Sequence, residues 1–211
     1  MFFGRPSILL AEEQTLFTDA LRKLLEPEFY IVGAVENGRQ LLQQAPKLLP
    51  DIVLLGILMP LMNGIESGRR LKELLPNTRI IILTALENPV LAAEVTSTWA
   101  SGYLVKKIPS TELILAIRRV IGGETYVASC IQKKLNTGLP TGLVPDPAKQ
   151  LTPRQREIIQ VLAEGKTMKE AATIMGISTR TAESHKYEIM RLLGVQTTAA
   201  VIRYAVRINL I

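Results

Sequence analysis

Short aliphatic runs alternate with amphipathic stretches over the first 123 residues. The runs predict five β-strands, at 7–11, 30–35, 51–55, 79–84 and 102–105. Apolar positions three and four residues apart predict helices around Leu16, Leu21 and Leu24 and at 37–45, 63–75, 89–98 and 110–121. Continuous aliphatic strands alternating with helices are typical of a parallel sheet covered on both faces. The pattern therefore predicts a doubly wound α/β domain with a five-stranded sheet at 1–123.

After residue 150 the pattern is helical, and residues that cap helices mark the boundaries. Thr152, Thr167 and Ser178 each precede an amphipathic stretch, and Gly176 and Gly194 stand where two of the stretches end. A fourth stretch follows at 197–207. The second and third helices are joined through a turn that contains glycine, which is the helix-turn-helix arrangement. We therefore predict an all-α domain of four helices at 151–211.

The third helix of this domain has two different faces. With about 3.6 residues per turn, one face carries Ala182, Ile189, Leu192 and Leu193, with His185 at its edge. The opposite face carries Arg180, Glu183, Ser184, Tyr187 and Arg191. The first face suits a core, and the second offers donors, acceptors and cations to a nucleic acid. A helix pair used for protein contacts is the alternative interpretation.

Glycine and proline accumulate between the two predicted domains, at Gly138, Pro140, Gly142, Pro145 and Pro147. This composition is typical of a linker, which we place at 124–150, with a short helix around 129–135. No internal repeat adds a further domain.

The composition is that of an ordinary globular protein, with 47% hydrophobic and 21% charged residues. No apolar run approaches the ~20 residues that a membrane span needs. Residues 1–6 lack a signal-peptide pattern, so we expect a cytoplasmic protein. Cys130 is the single cysteine and His185 the single histidine, so neither an internal disulfide nor a metal site is expected.

The formal charge of +6 is unevenly distributed. Residues 151–211 contain 9 Lys or Arg against 5 Asp or Glu, a net +4, whereas residues 1–123 contain 13 against 12. The excess lies in the helix-turn-helix segment, where phosphates would have to be neutralised. It therefore supports DNA binding by the helical domain.

The helical domain resembles the LuxR-type helix-turn-helix along its whole length. The matching landmarks are LTPR-x-RE, LAEGKT-x-KE-A, GIS-xx-T-x-E-x-H and a final L-GV. The resemblance implies a four-helix domain that binds double-stranded DNA as a homodimer. Its last helix would support dimerisation, pack on its own core, or do both. The implied DNA-binding residues are Lys166, Lys169, Thr179, Arg180, Glu183, Ser184, His185, Lys186 and Tyr187.

Within that set, different side chains suit different parts of the duplex. We expect Glu183 to accept from cytosine N4, and Ser184 and Tyr187 to meet base edges. For His185 two roles stay open, a phosphate contact or packing within the domain. Phosphate contacts, which position a protein without reading sequence, are expected of Lys166, Lys169, Arg180 and Lys186.

In the α/β domain, ligands are expected outside the carboxyl ends of the strands. The residues there are Glu12, Glu13, Gly56, Thr84 and Lys106. The stretches PDIVLLGILMPLMNGIE, RIIILTA and ASGYLVK resemble the receiver domain of two-component response regulators, over residues 7–123. This resemblance implies a flavodoxin-like fold, two acidic residues that hold Mg²⁺, an Asp that accepts a phosphoryl group, and a Thr and a Lys that contact that group. Together, the two domains resemble the NarL/FixJ class of response regulator.

Gly56 stands where the resemblance places the phosphoacceptor Asp. Because glycine has no side chain, no acyl phosphate can form there, and neither Asp51 nor Glu66 is positioned to substitute. The missing carboxylate is also a missing metal ligand. We therefore expect poor Mg²⁺ binding or none, and no other cofactor.

Three other residues of this region carry expectations of their own. Lys106 is expected to pair with Glu12 or Glu13 rather than to bind a ligand. Tyr103, at the position of the family's rotating aromatic residue, is expected to pack against the fourth helix. Trp99 replaces a residue that is usually small, and whether it rigidifies or reshapes the loop before the fifth strand stays open.

These features predict a DNA-binding transcriptional regulator that is independent of aspartyl phosphorylation. Its receiver is then either frozen in one state or controlled by a protein partner or small ligand. The alternative is a pseudo-receiver interaction module that sequesters or stabilises another regulator. An enzyme is not expected, because no Ser-His-Asp or Cys-His set is visible.

Overall fold

A computed structural model of the chain describes residues 4–136 and 151–207. The chain divides into two compact units. Within the described residues, the amino-terminal unit has six strands and six helices, and the carboxy-terminal unit has four helices. None of the helices in these ranges is long and apolar enough to span a bilayer.

The amino-terminal unit is built on a parallel sheet whose strands follow one another in the order β2-β1-β3-β4-β5-β6. The strands are β1 (Ser7–Ala11), β2 (Tyr30–Val35), β3 (Ile52–Leu55), β4 (Arg79–Thr84), β5 (Gly102–Val105) and β6 (Tyr126–Val127). Every residue of β3 and β5 is buried, as expected for strands covered on both faces. Burying each large aliphatic side chain of these strands contributes roughly 1.5–3 kcal/mol.

Six helices flank this sheet. They are α1 (Thr15–Leu25), α2 (Gly38–Leu48), α3 (Gly64–Leu74), α4 (Pro89–Thr96), α5 (Ser110–Ile121) and α6 (Ser129–Asn136). Asn37 and Asn88 start α2 and α4, because each side chain accepts a hydrogen bond from a backbone N–H of the first helical turn. The doubly wound α/β fold predicted from the pattern is therefore confirmed.

The prediction of five strands is wrong, because β6 adds a sixth. Its pairing with β5 matches Gly102 with Tyr126 and Tyr103 with Val127. A two-residue strand is too short to produce a hydrophobic period, so the sequence pattern could not reveal it. The strand lies in the segment predicted to begin the linker.

The start of the predicted linker also contributes to the amino-terminal core. The short helix expected around 129–135 is present as α6, and Ala128 and Ile131 are fully buried in the same hydrophobic cluster as the sheet. Residues 124–136 therefore pack with the amino-terminal unit, beyond the boundary predicted at residue 123. The rest of the predicted linker, 137–150, lies outside the described residues.

Trp99 packs against the bare backbone of a helix. A Cβ atom on Gly68 of α3 would overlap the Cζ3 atom of the Trp99 ring, so that one of the two groups would have to move. The ring is only 8% exposed. The indole thus fills the space that a side chain at 68 would need, and it ties the segment after α4 to α3.

The carboxy-terminal unit consists of α7 (Pro153–Ala163), α8 (Met168–Met175), α9 (Thr179–Leu193) and α10 (Thr198–Arg207). Its core contains Ile158 and Ile159 of α7, Met175 of α8, Ile189 of α9 and Val201 of α10. The four-helix prediction is confirmed for the described residues, and each helix contributes an apolar side to one cluster.

The predicted caps of this unit are present. Thr152 and Thr167 form reciprocal capping boxes at the starts of α7 and α8, and the Ser178 hydroxyl accepts from the Thr181 N–H at the start of α9. Gly176 and Gly194 end α8 and α9 with φ of 66° and 65°. These left-handed conformations favour glycine, so the turn between α8 and α9 depends on it.

Candidate functional site

Four strands of the amino-terminal unit bring their carboxyl ends to one edge of the sheet. Glu12 follows β1, Gly56 follows β3, Thr84 ends β4 and Lys106 follows β5. Backbone bonds link these positions, since the Gly56 N–H donates to Ala11 O (2.8 Å) and the Lys106 N–H donates to Thr84 O (2.7 Å). The sequence-predicted pocket residues therefore lie together.

Glu12 and Lys106 form an ion pair at this edge. Lys106 Nζ lies 2.8 Å from Glu12 Oε1, which also accepts from the Gln14 N–H at 3.2 Å. The ammonium group is also 4.6 Å from the centre of the Phe17 ring, within the range of a cation–π contact. Glu13 is exposed. Of the two carboxylates offered by the sequence, the structure pairs Glu12 with the lysine.

The Glu12 carboxylate lies directly in front of Gly56. A Cβ atom on Gly56 would be 2.9 Å from Glu12 Oε2 and 3.3 Å from Ala11 O. Asp51 and Glu66, the other carboxylates in this part of the sequence, are engaged elsewhere. Asp51 accepts from the Ser7 N–H (2.7 Å) at the amino end of the strands, and Glu66 pairs with Arg70 Nε at 2.6 Å.

Thr84 and Tyr103 both hold the loop that leads from β4 to α4. The Thr84 hydroxyl accepts from the Leu86 N–H (3.2 Å), and the Tyr103 hydroxyl donates to Leu86 O (2.8 Å). Tyr103 is fully buried, and burial raises its pKa to about 12 because the phenolate would lose its hydration. The aromatic side chain thus lies inside the fold beneath this loop.

Glu87, in the same loop, joins it to α6, a contact that sequence reasoning missed. Its carboxylate pairs with Lys107 and with Lys134 of α6, the latter at 2.7 Å. Hydrogen bonds from Lys107 and Lys134 lower the pKa of Glu87 to about 2. Lys134 falls within the predicted linker, so no local spacing could have suggested its pairing with a residue 47 positions earlier.

In the carboxy-terminal unit, α9 exposes a polar face. The exposed residues that share this face are Arg180, Ser184, Tyr187 and Arg191, with the half-buried Glu183 beside them. Tyr187 is 66% exposed, although it is the largest side chain of the set. The Ser184 hydroxyl donates back to Arg180 O at 3.0 Å. Thr179, also exposed, begins the helix next to the Ser178 cap.

Two predicted DNA-contacting residues of α9 pair with each other. Lys186 Nζ lies 2.5 Å from Glu183 Oε2, one turn earlier on the helix, and 5.5 Å from the centre of the Tyr187 ring. The three-residue spacing permits this pair, which could have been anticipated from the sequence. In the free domain the expected base-reading carboxylate and the expected phosphate-binding ammonium therefore satisfy one another.

The remaining predicted residues lie near the start of α8 and within α9. Lys166 and Lys169 are exposed at the start of α8. His185 is half-buried, with Nδ1 3.6 Å from Glu188 Oε2. The Thr167 backbone N–H and hydroxyl lower the pKa of Glu170 within the α8 capping box. For His185, a phosphate contact or packing within the domain stays a prediction.

Comparison with known proteins assigns each unit to a family. Residues 8–118 match the response regulator receiver domain, and residues 149–205 match the bacterial regulatory proteins of the luxR family. The transcriptional regulatory protein MctR of Rhizobium johnstonii is 32% identical over 208 residues, which cover 95% of this chain and 94% of MctR. The oxygen regulatory protein NreC of Staphylococcus aureus is 29% identical over 213 residues, covering 97% of this chain and 98% of NreC.

Solved structures resemble the chain over most of its length. RcsB from Salmonella enterica serovar Typhimurium, bound to promoter P1flhDC in the presence of phosphomimetic BeF3-, has a TM-score of 0.62 and 27% identity, covering 95% of this chain and 98% of RcsB. The response regulator ChrA of a heme-sensing two-component system has a TM-score of 0.53 and 27% identity, covering 99% and 100%. The chain therefore belongs to the LuxR-family transcriptional response regulators, which join a receiver domain to a DNA-binding helix-turn-helix domain.

Proposed function

We propose that this LuxR-family regulator binds DNA as a homodimer and does so without phosphorylation of an aspartate. The observation that carries the proposal is the pocket around Gly56. Position 56 offers no carboxylate, and the Glu12 carboxylate pairs with the Lys106 ammonium group instead. An acyl phosphate requires a carboxylate nucleophile, which glycine cannot supply.

The exposed face of α9 is the proposed DNA-reading surface. Glu183 accepts from cytosine N4, and Ser184 and Tyr187 meet base edges in the major groove. The cations at its borders, Lys166, Lys169 and Arg180, bind phosphates, and Lys186 joins them once it leaves Glu183. The promoter-bound state of RcsB, with which this chain shares fold and domain order, supports the DNA-binding part of the proposal.

A homodimer is supported by the outer side of α10. Ala199 and Val206 are exposed there, two turns apart, on either side of the exposed Arg203. A second copy would cover this small apolar surface. A two-fold dimer would read two half-sites on one face of the duplex.

The pocket residues do not fit a bound Mg²⁺. Mg²⁺ prefers near-octahedral oxygen coordination, whereas Glu12 is engaged by an ammonium group and position 56 offers no side chain. We therefore propose that the receiver works without a metal cofactor. Its input would come from a protein partner or ligand that binds two receiver states with different affinity.

The test combines phosphodonor treatment with DNA binding. The full chain is incubated with acetyl phosphate and Mg²⁺, its intact mass is measured, and its affinity for mixed-sequence duplex DNA is measured at two salt concentrations. We expect no phosphoryl adduct, unchanged affinity, and binding that weakens steeply as salt rises, because phosphate contacts release counterions. A phosphorylatable LuxR-family regulator treated in parallel shows that the donor is active. An adduct on the amino-terminal unit contradicts phosphorylation independence, and absence of salt-dependent binding contradicts the DNA-binding surface.

A further inference from the structure

Loss of the side chain at position 56 leaves space that the protein fills from a neighbouring strand. A Cβ atom at position 56 would have Glu12 Oε2 as its nearest neighbour, at 2.9 Å, and the Glu12 side chain is only 5% exposed. A carboxylate thus lies at the acceptor position, although it comes from the end of β1 rather than β3.

This carboxylate is held in place from several directions. Glu12 Oε1 accepts from Lys106 Nζ (2.8 Å) and from the Gln14 N–H (3.2 Å). Lys106 is itself fixed, because its ammonium group lies over the Phe17 ring and its backbone N–H donates to Thr84 O. Removing the Glu12 carboxylate altogether from the space before Gly56 therefore requires breaking a largely buried ion pair, which is costly, whereas a small shift of Oε2 does not.

We propose that Glu12 is the internal counter-ion that replaces the lost acceptor carboxylate at Lys106, so that the receiver carries a fixed charge pair in place of a modifiable one. This inference rests on the proposed function, because it takes Gly56 as the former acceptor position. It carries a specific consequence: an aspartate restored at position 56 would compete with Glu12 for the same space and for the same ammonium group.

Charge, more than size, should decide which side chains position 56 accepts. The atom that a new Cβ meets is the far end of a flexible side chain, so a small shift makes room for alanine. A second carboxylate is different, since two carboxylates sharing one site repel and only one lysine lies between them. G56N, which has the shape of aspartate without its charge, is the matched control for G56D.

A double-mutant cycle between positions 12 and 56 tests the proposal in the full chain. Urea unfolding of wild type, E12Q, G56D, G56N and E12Q/G56D is followed at neutral pH by the fluorescence of Trp99, the single tryptophan, which reports the receiver unit. We expect the unfolding constant of G56D to exceed that of G56N by about tenfold. E12Q should destabilise the receiver when residue 56 is glycine, because Lys106 loses its partner, and stabilise it when residue 56 is aspartate.

This reversal of sign is the signature of a shared site. If E12Q changes stability by the same amount and in the same direction in both backgrounds, or if G56D and G56N are equally stable, Glu12 does not take the acceptor's place. The cycle does not depend on any phosphodonor. A phosphoryl adduct on the wild-type chain would therefore refute the proposed function while leaving the coupling result standing, and additive stabilities would refute the inference alone.

Discussion

At the scale of single residues, the absence of a side chain at one position determines how its neighbours pack. In front of Gly56, which has no side chain, lies the Glu12 carboxylate, which pairs with Lys106. At Gly68 the absence of a side chain likewise leaves space, and the ring of Trp99 fills it. In both places the glycine matters for the space in front of it, since neither has the positive φ that would require glycine for conformation.

On α9, the pair between Glu183 and Lys186 predicts different effects for two single substitutions. Glu183→Ala would remove the proposed base-reading acceptor and free Lys186 from its ion pair. Base preference should therefore relax, with a discrimination loss of about 1–3 kcal/mol, while affinity for mixed-sequence DNA is kept or raised. Lys186→Ala should weaken binding to all sequences alike and reduce the salt slope by about 1.

Fluorescence anisotropy on a panel of operator variants, obtained by selection from random duplexes with the wild-type chain, measures both effects. Arg191→Ala is a suitable companion, because this exposed cation lies near the end of the same face but outside the predicted contact set. Identical binding profiles for the Glu183 and Lys186 variants would contradict the assignment of separate roles.

At the scale of secondary-structure elements, α6 extends the receiver unit beyond its five-strand pattern. Ile131 anchors this helix in the core, and Lys134 attaches it to Glu87 in the loop before α4. That loop is the one held by Thr84 and Tyr103. A physically continuous series of contacts therefore joins the pocket edge to the last described helix of the unit.

The Glu87 contact should make α6 sensitive to acid. Because the folded-state pKa is about 2, below the ordinary value of 4.5, the contact stabilises the fold fully above the ordinary value and is lost as pH falls towards 2. Glu87→Gln should remove this dependence and speed amide hydrogen exchange in residues 131–136. Hydrogen exchange followed by mass spectrometry, at neutral pH and after acidification, measures both.

Lys133→Ala provides the control for this element. Lys133 is exposed on the same helix, next to the lysine that pairs with Glu87. Its substitution should leave both the exchange rates and their pH dependence near wild type. Equal effects of Glu87→Gln and Lys133→Ala would mean that the ion pair does not hold α6.

At the scale of the whole molecule, the proposed phosphorylation-independent regulator would obtain its DNA affinity from dimer assembly and DNA contacts rather than from a phosphoryl switch. The proposed homodimer would place two α9 helices on one face of the duplex, with half-sites about one helical turn apart. Affinity for a two-site duplex should therefore fall when roughly 5 base pairs, half a turn, are inserted between the half-sites, and recover when roughly 10 are inserted.

Mobility shifts with selected half-sites at each spacing measure this periodicity, and a single half-site duplex gives the monomer reference. Affinity that does not depend on spacing would show that two copies do not bind as one rigid unit. Acetyl phosphate should leave the spacing preference unchanged.

The features that local sequence determined are those that act between residues a few positions apart. Capping by Thr152, Thr167 and Ser178 joins each residue to an N–H three positions on, and the turn at Gly176 depends on its own φ. Hydrophobic periodicity likewise specified the first five strands and the four helices of the DNA-binding unit, because strand and helix periods are short-range properties. Local sequence also places Gly56 directly after a strand, and the assignment of this position as that of a missing acceptor stays a prediction.

Tertiary structure alone decided the contacts between distant residues. Three contacts depend on where the folded sheet and helices bring distant residues together. They are the pairing of β6 with β5, the ion pair that Lys106 forms with Glu12 rather than Glu13 across 94 positions, and the packing of Trp99 on Gly68. A hydrophobic period records which side of an element is buried but not which neighbour fills a given space, since that depends on close packing among elements far apart in the chain.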